Sequence, residues 1–191
     1  MPDAVVGIAV GLALSTAAGL RVFVPLLLTG VAGRAEWLTL TPSMSWIGSD
    51  MALAAFGTAT VLEVGAYYVP WLDNLLDALA SPAAITAGVI ASAAVMADLP
   101  PLLRWTLAVV AGGGTAGLVH ASTALVRVKS SAFTAGAGNA AVATGELAAS
   151  IALSLLGLLA PVLAAAVVIV VFVVLARRAL WFVRERERRP R

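Results

Sequence analysis

Residues Leu147 to Ala176 run for thirty positions without a charged side chain. A helix crosses a bilayer with about 20 apolar residues, and in water a run of this length would expose far more apolar surface than a soluble domain tolerates. Backbone amides and carbonyls have no water to bond inside the hydrocarbon, so such a segment must be helical. The remainder of the 191 residues agrees: 61% are hydrophobic and 12% charged, and the mean hydropathy is +1.01, against roughly 25% charged residues in soluble domains. The sequence reads as one all-α, polytopic membrane bundle of five to seven transmembrane segments. The membrane domain covers 1–176 and a basic tail 177–191.

Seven of the twelve basic residues stand in that tail, "RRALWFVRERERRPR", which carries net +5 against −3 for the preceding 176 residues. Alternation with Glu185 and Glu187 directly after an apolar run suits a topology determinant near anionic lipid rather than a nucleic-acid-binding arm. The positive-inside rule then places the C-terminus in the cytoplasm. One lysine against eleven arginines, with abundant alanine, suggests a GC-rich bacterial genome and hence the cytoplasmic (inner) membrane. "MPDAVVGIAV" has no basic residue ahead of its apolar stretch, so the first segment is expected to remain in the mature chain. Cysteine is absent and His120 is the sole histidine, which excludes disulfides, thiolate chemistry and a cysteine or histidine-rich metal site. No cofactor motif is present, and with no nucleophile and base set in view an enzyme is not expected.

Along the chain, Val5–Leu20 is a near-minimal span ending at Arg21. Val22–Gly33 is short and contains Pro25, so it is a short span or a re-entrant half-helix. Residues 34–49 are a polar connection with Trp37 and Trp46 at headgroup level. Met51–Val69 is a span interrupted by Glu63. Leu72, Leu75, Leu76 and Leu79 recur at helical spacing against Asp73, Asn74 and Asp77, predicting a short interfacial amphipathic helix over 71–79. Ala83–Ala97 forms a short span, Leu102–Val126 a long one with Gly112–Gly114 at its middle, and Leu147–Ala176 one tilted helix bent at Pro161.

Possible repeat halves are 4–69 and 102–176. "STAAGLRV" at 15–22 and "STALVRV" at 122–128 share Ser-Thr-Ala and Arg-Val. Each precedes a short, small-residue-rich stretch, 22–33 and 131–145, and then a longer span. Paired interrupted segments point to a transporter-type site. If both stretches re-enter, the copies are inverted; if both cross, there are seven spans and the copies are parallel.

The pathway or polar-site candidates are Glu63, His120, Asn139, Glu146, Arg21 and Arg127. Charge inside hydrocarbon costs at least about 2.5 kcal/mol, so its placement is informative. Glu63 falls near mid-depth by simple rise and is expected to be neutral or paired with Arg21 or Arg127. Glu146 is placed where it caps the last helix or lines a cavity. "SSAFTAGAGNAAVATGELAAS" at 130–150 offers Asn139 and hydroxyls either to a wet cavity or to an ordinary loop and an Ala-rich helix. His120 is a proton relay or a structural hydrogen-bonding residue. Asp73 and Asp77, one turn apart, offer two oxygens to a hard cation or form a solvated face. Gly7–Gly11 and Gly113–Gly117 are GxxxG pairs that predict close helix contacts within the chain or between protomers.

The stretches "AGLRVFVPLLLTG", "LEVGAYYVPWLDNLLDALASP" and "GAGNAAVATGELAAS", in that order, resemble a bacterial membrane-protein family catalogued as domain of unknown function 4126. The resemblance covers most of the chain and implies a polytopic helical architecture. It singles out Glu63 ahead of Pro70, Asp73 and Asp77, and a Gly138–Asn139 pair ahead of Glu146. Ala140 stands where the family pattern has proline and Leu147 where it has a second acid, so a site built on both acids lacks one here. The resemblance implies no reaction. The expectation is a channel or transporter for a small ion or polar solute, embedded in the lipid bilayer and plausible as a homo-oligomer. The alternative is a non-transporting membrane scaffold or lipid-associated partner protein.

Overall fold

The computed structural model describes residues 2–66, 70–134 and 137–187, with the side chains of Pro2, 70–79, 179–180 and 182–187 outside that description. The described chain is helical throughout. It comprises α1 (Pro2–Leu20), α2 (Phe23–Arg34), a 3-10 segment (Pro42–Gly48), α3 (Asp50–Ala66), α4 (Pro70–Val95), α5 (Pro101–Leu107), a π-helical segment (Ala108–Gly113), α6 (Gly114–Thr134), α7 (Asn139–Leu159) and α8 (Pro161–Glu187). Prolines punctuate this order. Pro42, Pro70, Pro101 and Pro161 each open a helical segment, where the missing amide is one that would lack an intrahelical partner anyway.

Helix directions follow from a few close approaches. A Cβ added to Gly7 would lie 2.9 Å from the Val95 carbonyl oxygen, and one added to Gly11 3.3 Å from Ser92 Cα, so α1 and α4 run antiparallel. Gly88 and Gly112 face each other: a Cβ on either would stand 2.9 Å from the other's carbonyl oxygen. Ile85 of α4 also packs on Gly117, so α4 is antiparallel to the π segment and α6, and α6 is parallel to α1. Both GxxxG pairs therefore serve contacts within the chain, on α4. Ser150 Oγ donates to the Ala17 carbonyl at 3.0 Å, and Gly157 lies against Ala13, making α7 antiparallel to α1.

Helix α2 descends beside α1. The chain returns to the starting side of α1, where the Thr41 amide bonds the Ala94 carbonyl at 2.8 Å. An exposed ion pair between Arg34 and Asp50 joins the end of α2 to the start of α3, which climbs back. The chain thus makes seven passes along the bundle axis. Four helices are long and apolar enough to cross a membrane: Asp3–Leu20, Pro101–Thr134, Asn139–Leu159 and Pro161–Arg178. The 3-10 segment and α3, bent by 61°, pass the test together, and Phe23–Arg34 and Ala80–Val95 are shorter apolar helices. Helices α1 and α6, which carry the two Ser-Thr-Ala segments, run in the same direction. The protein is a multi-pass helical membrane protein, with α1 the most enclosed of the candidate spans and α8 the least.

Three local readings of the sequence are corrected. The apolar run 147–176 is two helices broken at Ala160. Ala149 and Leu175 line the same crevice, whereas on one straight helix they would stand about 39 Å apart, so the chain doubles back there. Pro161 starts a helix instead of bending one. The proposed interfacial helix 71–79 is continuous in backbone with the span after it, as α4, with Pro82 inside. The small-residue stretch 131–145 is no re-entrant loop: α6 continues to Thr134 and α7 begins at Asn139, and residues 135–136 lie outside the described chain. The basic tail likewise continues α8 as far as Glu187.

Candidate functional site

The chain breaks between Leu20 and Phe23, and the break gathers the buried charges. Four ionisable side chains, Arg21, Glu63, Arg127 and Glu146, are each at most 8% exposed. Burial of such groups demands partners, and each of the four has one. Arg127 donates to Glu146 through Nε to Oε1 at 3.2 Å and through Nη2 to Oε2 at 2.6 Å. This is the two-pronged geometry that a guanidinium makes with a carboxylate. Arg21 approaches the same Oε2 at 3.4 Å and donates through Nη2 to the Ala143 carbonyl at 2.6 Å. Arg21 just after α1, Arg127 from α6 and Glu146 from α7 thus form one triad, and Glu63 beside it brings the four buried charges into balance.

Glu63, expected to be neutral or paired with Arg21 or Arg127, makes its hydrogen bonds to backbone. Its Oε1 accepts the Val22 amide at 2.8 Å and its Oε2 the Phe23 amide at 3.1 Å. These are amides at the open N-terminus of α2, where the first helical amides lack intrahelical partners and the dipole favours an anion. Pro25, in the first turn, has no amide to satisfy. A carboxylate from α3 therefore caps the start of a broken helix, and the charges of Arg21 and Arg127 also act on it. Glu63 is the fourteenth residue of the seventeen in α3, and the cluster directly follows Leu20, the last residue of the first candidate span. It lies at the end of that span, not at its middle.

Glu146 is not a helix cap either. It is the eighth residue of α7, turned into the bundle. One and two turns further on, Ser150 and Ser154 are fully buried on the same stripe. Ser150 bonds the Ala17 carbonyl, while Ser154 Oγ has no hydrogen-bond partner among the described residues. This polar seam extends about 12 Å from Glu146 along α7. Sequence reasoning missed Ser150 and Ser154; their four-residue spacing from Glu146 was the available signal.

The remaining candidates are dispersed. Asn139 donates from Nδ2 to Ser131 Oγ at 2.8 Å, tying the start of α7 to the end of α6 and standing two turns from Glu146. His120 is buried on α6 two turns before Arg127, and its Nε2 has no hydrogen-bond partner among the described residues. The side chains of Asp73 and Asp77 lie outside the described residues. Among the described residues no group of three histidine, cysteine or acidic side chains is placed to hold a metal ion.

These features define a class: a multi-pass helical membrane protein with a buried, mutually compensated charge cluster at a helix break. The chain belongs to the family described as Domain of unknown function (DUF4126), whose family model matches residues 8–181. No curated protein and no solved structure matches it.

Proposed function

We propose that the protein is a non-enzymatic channel or transporter for a small ion or polar solute, resident in a bacterial cytoplasmic membrane with its C-terminus in the cytoplasm. The observation that carries this reading is the triad of Arg21, Arg127 and Glu146, buried beside a helix break and continued by the seam of Ser150 and Ser154. Ionisable groups within membrane bundles are costly, and they commonly mark solute or proton routes. The two guanidiniums are the groups an anion would recognise, and it would compete with Glu146 for them. Lining by arginine is a recurring means of passing anions.

A second reading, a membrane scaffold or lipid-associated partner protein, is favoured by the fact that Glu146 and Glu63 already have protein partners. On that reading the cluster only fastens α1, α3, α6 and α7 at one level. Flux in proteoliposomes across a panel of small anions, cations and protons, with Glu146→Gln as the paired variant, separates the two. Flux by the native protein that is lost or re-tuned in a folded Glu146→Gln supports transport. Equal flux in both removes Glu146 from the pathway, and no flux from either favours the scaffold.

A further inference from the structure

A crevice of about 480 Å³ lies between α1, α6, α7 and α8, away from the charge cluster's own bonds. Its volume falls within the roughly 300–1,000 Å³ of small-ligand pockets. Its polar side chains are turned inward on their own helices: Thr16 Oγ1 donates to the Leu12 carbonyl at 2.7 Å, Ser122 Oγ to Leu118 at 2.7 Å and Thr123 Oγ1 to His120 at 3.0 Å. What remains to meet an occupant is hydrocarbon, from residues such as Leu20, Leu153, Val168 and Phe172. On α8 the lining extends from Val167 to Leu175, about 12 Å by helical rise. That length suits one acyl chain within a single leaflet of a hydrocarbon core about 30 Å thick.

The rim of the crevice says which lipid. On α8, Arg178 lies one turn beyond the lining residue Leu175, and on α6, Lys129 lies two turns beyond Ser122. Both are exposed, and α6 and α8 run in the same direction, so both stand beyond the same end of the crevice. Helix α6 has no acidic residue, and α8 has none before Glu185. A basic pair at headgroup level above an apolar slot is complementary to phosphate above an acyl chain.

We propose that this crevice is a binding site for an anionic phospholipid, one acyl chain lying between α6 and α8 and the headgroup phosphate resting on Lys129 and Arg178. The proposal does not rest on the transport reading, because none of Arg21, Glu63, Arg127, Glu146, Ser150 and Ser154 lines the crevice.

Native mass spectrometry of the detergent-purified full chain tests it, titrating phosphatidylglycerol and phosphatidylcholine of matched chains. The native protein should bind one phosphatidylglycerol at least about fivefold more tightly than phosphatidylcholine. Lys129→Gln with Arg178→Gln, both at exposed positions, should erase that preference, and Ala152→Phe, on the crevice wall, should weaken both lipids. Equal binding of the two lipids by the native protein, or a preference untouched by the double variant, overturns the proposal. A dimer that Ala152→Phe disperses would likewise overturn it by assigning the crevice to a second copy.

Discussion

Arg127 holds Glu146 through two hydrogen bonds, 3.2 Å and 2.6 Å, on one carboxylate buried between α6 and α7. Arg21, which follows the equivalent Ser-Thr-Ala segment in the first half of the sequence, reaches the same oxygen from α1. The two arginines thus share a single acid, so removing that acid leaves both buried without it. Glu146→Ala is expected to cost about 3–5 kcal/mol, the range for breaking a buried ion pair. Arg127→Ala combined with Glu146→Ala should cost less than the sum of the single changes. Reversible unfolding in detergent micelles checks this; strictly additive costs would mean that the contact contributes nothing.

At Glu63, the expectation concerns local order. Losing the carboxylate that caps Val22 and Phe23 should cost about 0.5–2 kcal/mol and loosen the first turn of α2. Hydrogen exchange at the amides of Val22 and Phe23 should quicken in Glu63→Ala and be partly restored in Glu63→Gln, which retains one acceptor oxygen. Exchange unchanged in the alanine variant would assign the capping to water or to another group.

The membrane class, the helical fold and the arginine–carboxylate pairing were legible because charge is scarce in this chain and its cost in hydrocarbon forces the few charges together. Which acid pairs with the arginines was not legible. Glu63 and Glu146 both sit in apolar surroundings, and only the break at 21–22 turns two amides toward Glu63. Pro161 shows a different limit. Proline inside an apolar run both kinks a helix and starts one, and the reversal at Ala160 depends on α8 packing back against α1 and α7. The helical periodicity at 72–79 identified a helix correctly, but it carried no information about whether that helix stops before Pro82.

The helix contacts of α4 give a paired prediction on glycines. Gly88→Val and Gly112→Val should each destabilise by about 1–3 kcal/mol, because overpacking forces backbone to move, and the neighbours are carbonyl groups at 2.9 Å that cannot rotate away. Gly114 and Gly145, by contrast, have nothing within 4 Å of an added Cβ. Alanine at either should be neutral or stabilising by up to about 1 kcal/mol, since glycine is costly inside a helix. Thermal midpoints in detergent for the four variants check the contrast. A destabilising Gly114→Ala or Gly145→Ala would indicate a partner packed on that face.

Three passes along the bundle axis, α3, α4 and α5–α6, separate the 3-10 segment from the α6–α7 turn, so the two are expected on opposite sides of the membrane. The chain has no cysteine, so single cysteines report topology without background. Ser45 and Ala137 are both exposed. In oriented vesicles, Ser45→Cys and Ala137→Cys should react with a membrane-impermeant maleimide from opposite faces, with Ala137→Cys on the face of the basic C-terminal residues. An odd count of passes requires this, since α1, α3, α6 and α8 climb in one direction while α2, α4 and α7 return. Labelling of both from one face would mean that α3 or α4, which lie between the two sites, does not cross. The two halves would then be related by inversion, and the shared acid at Glu146 would join oppositely oriented repeats.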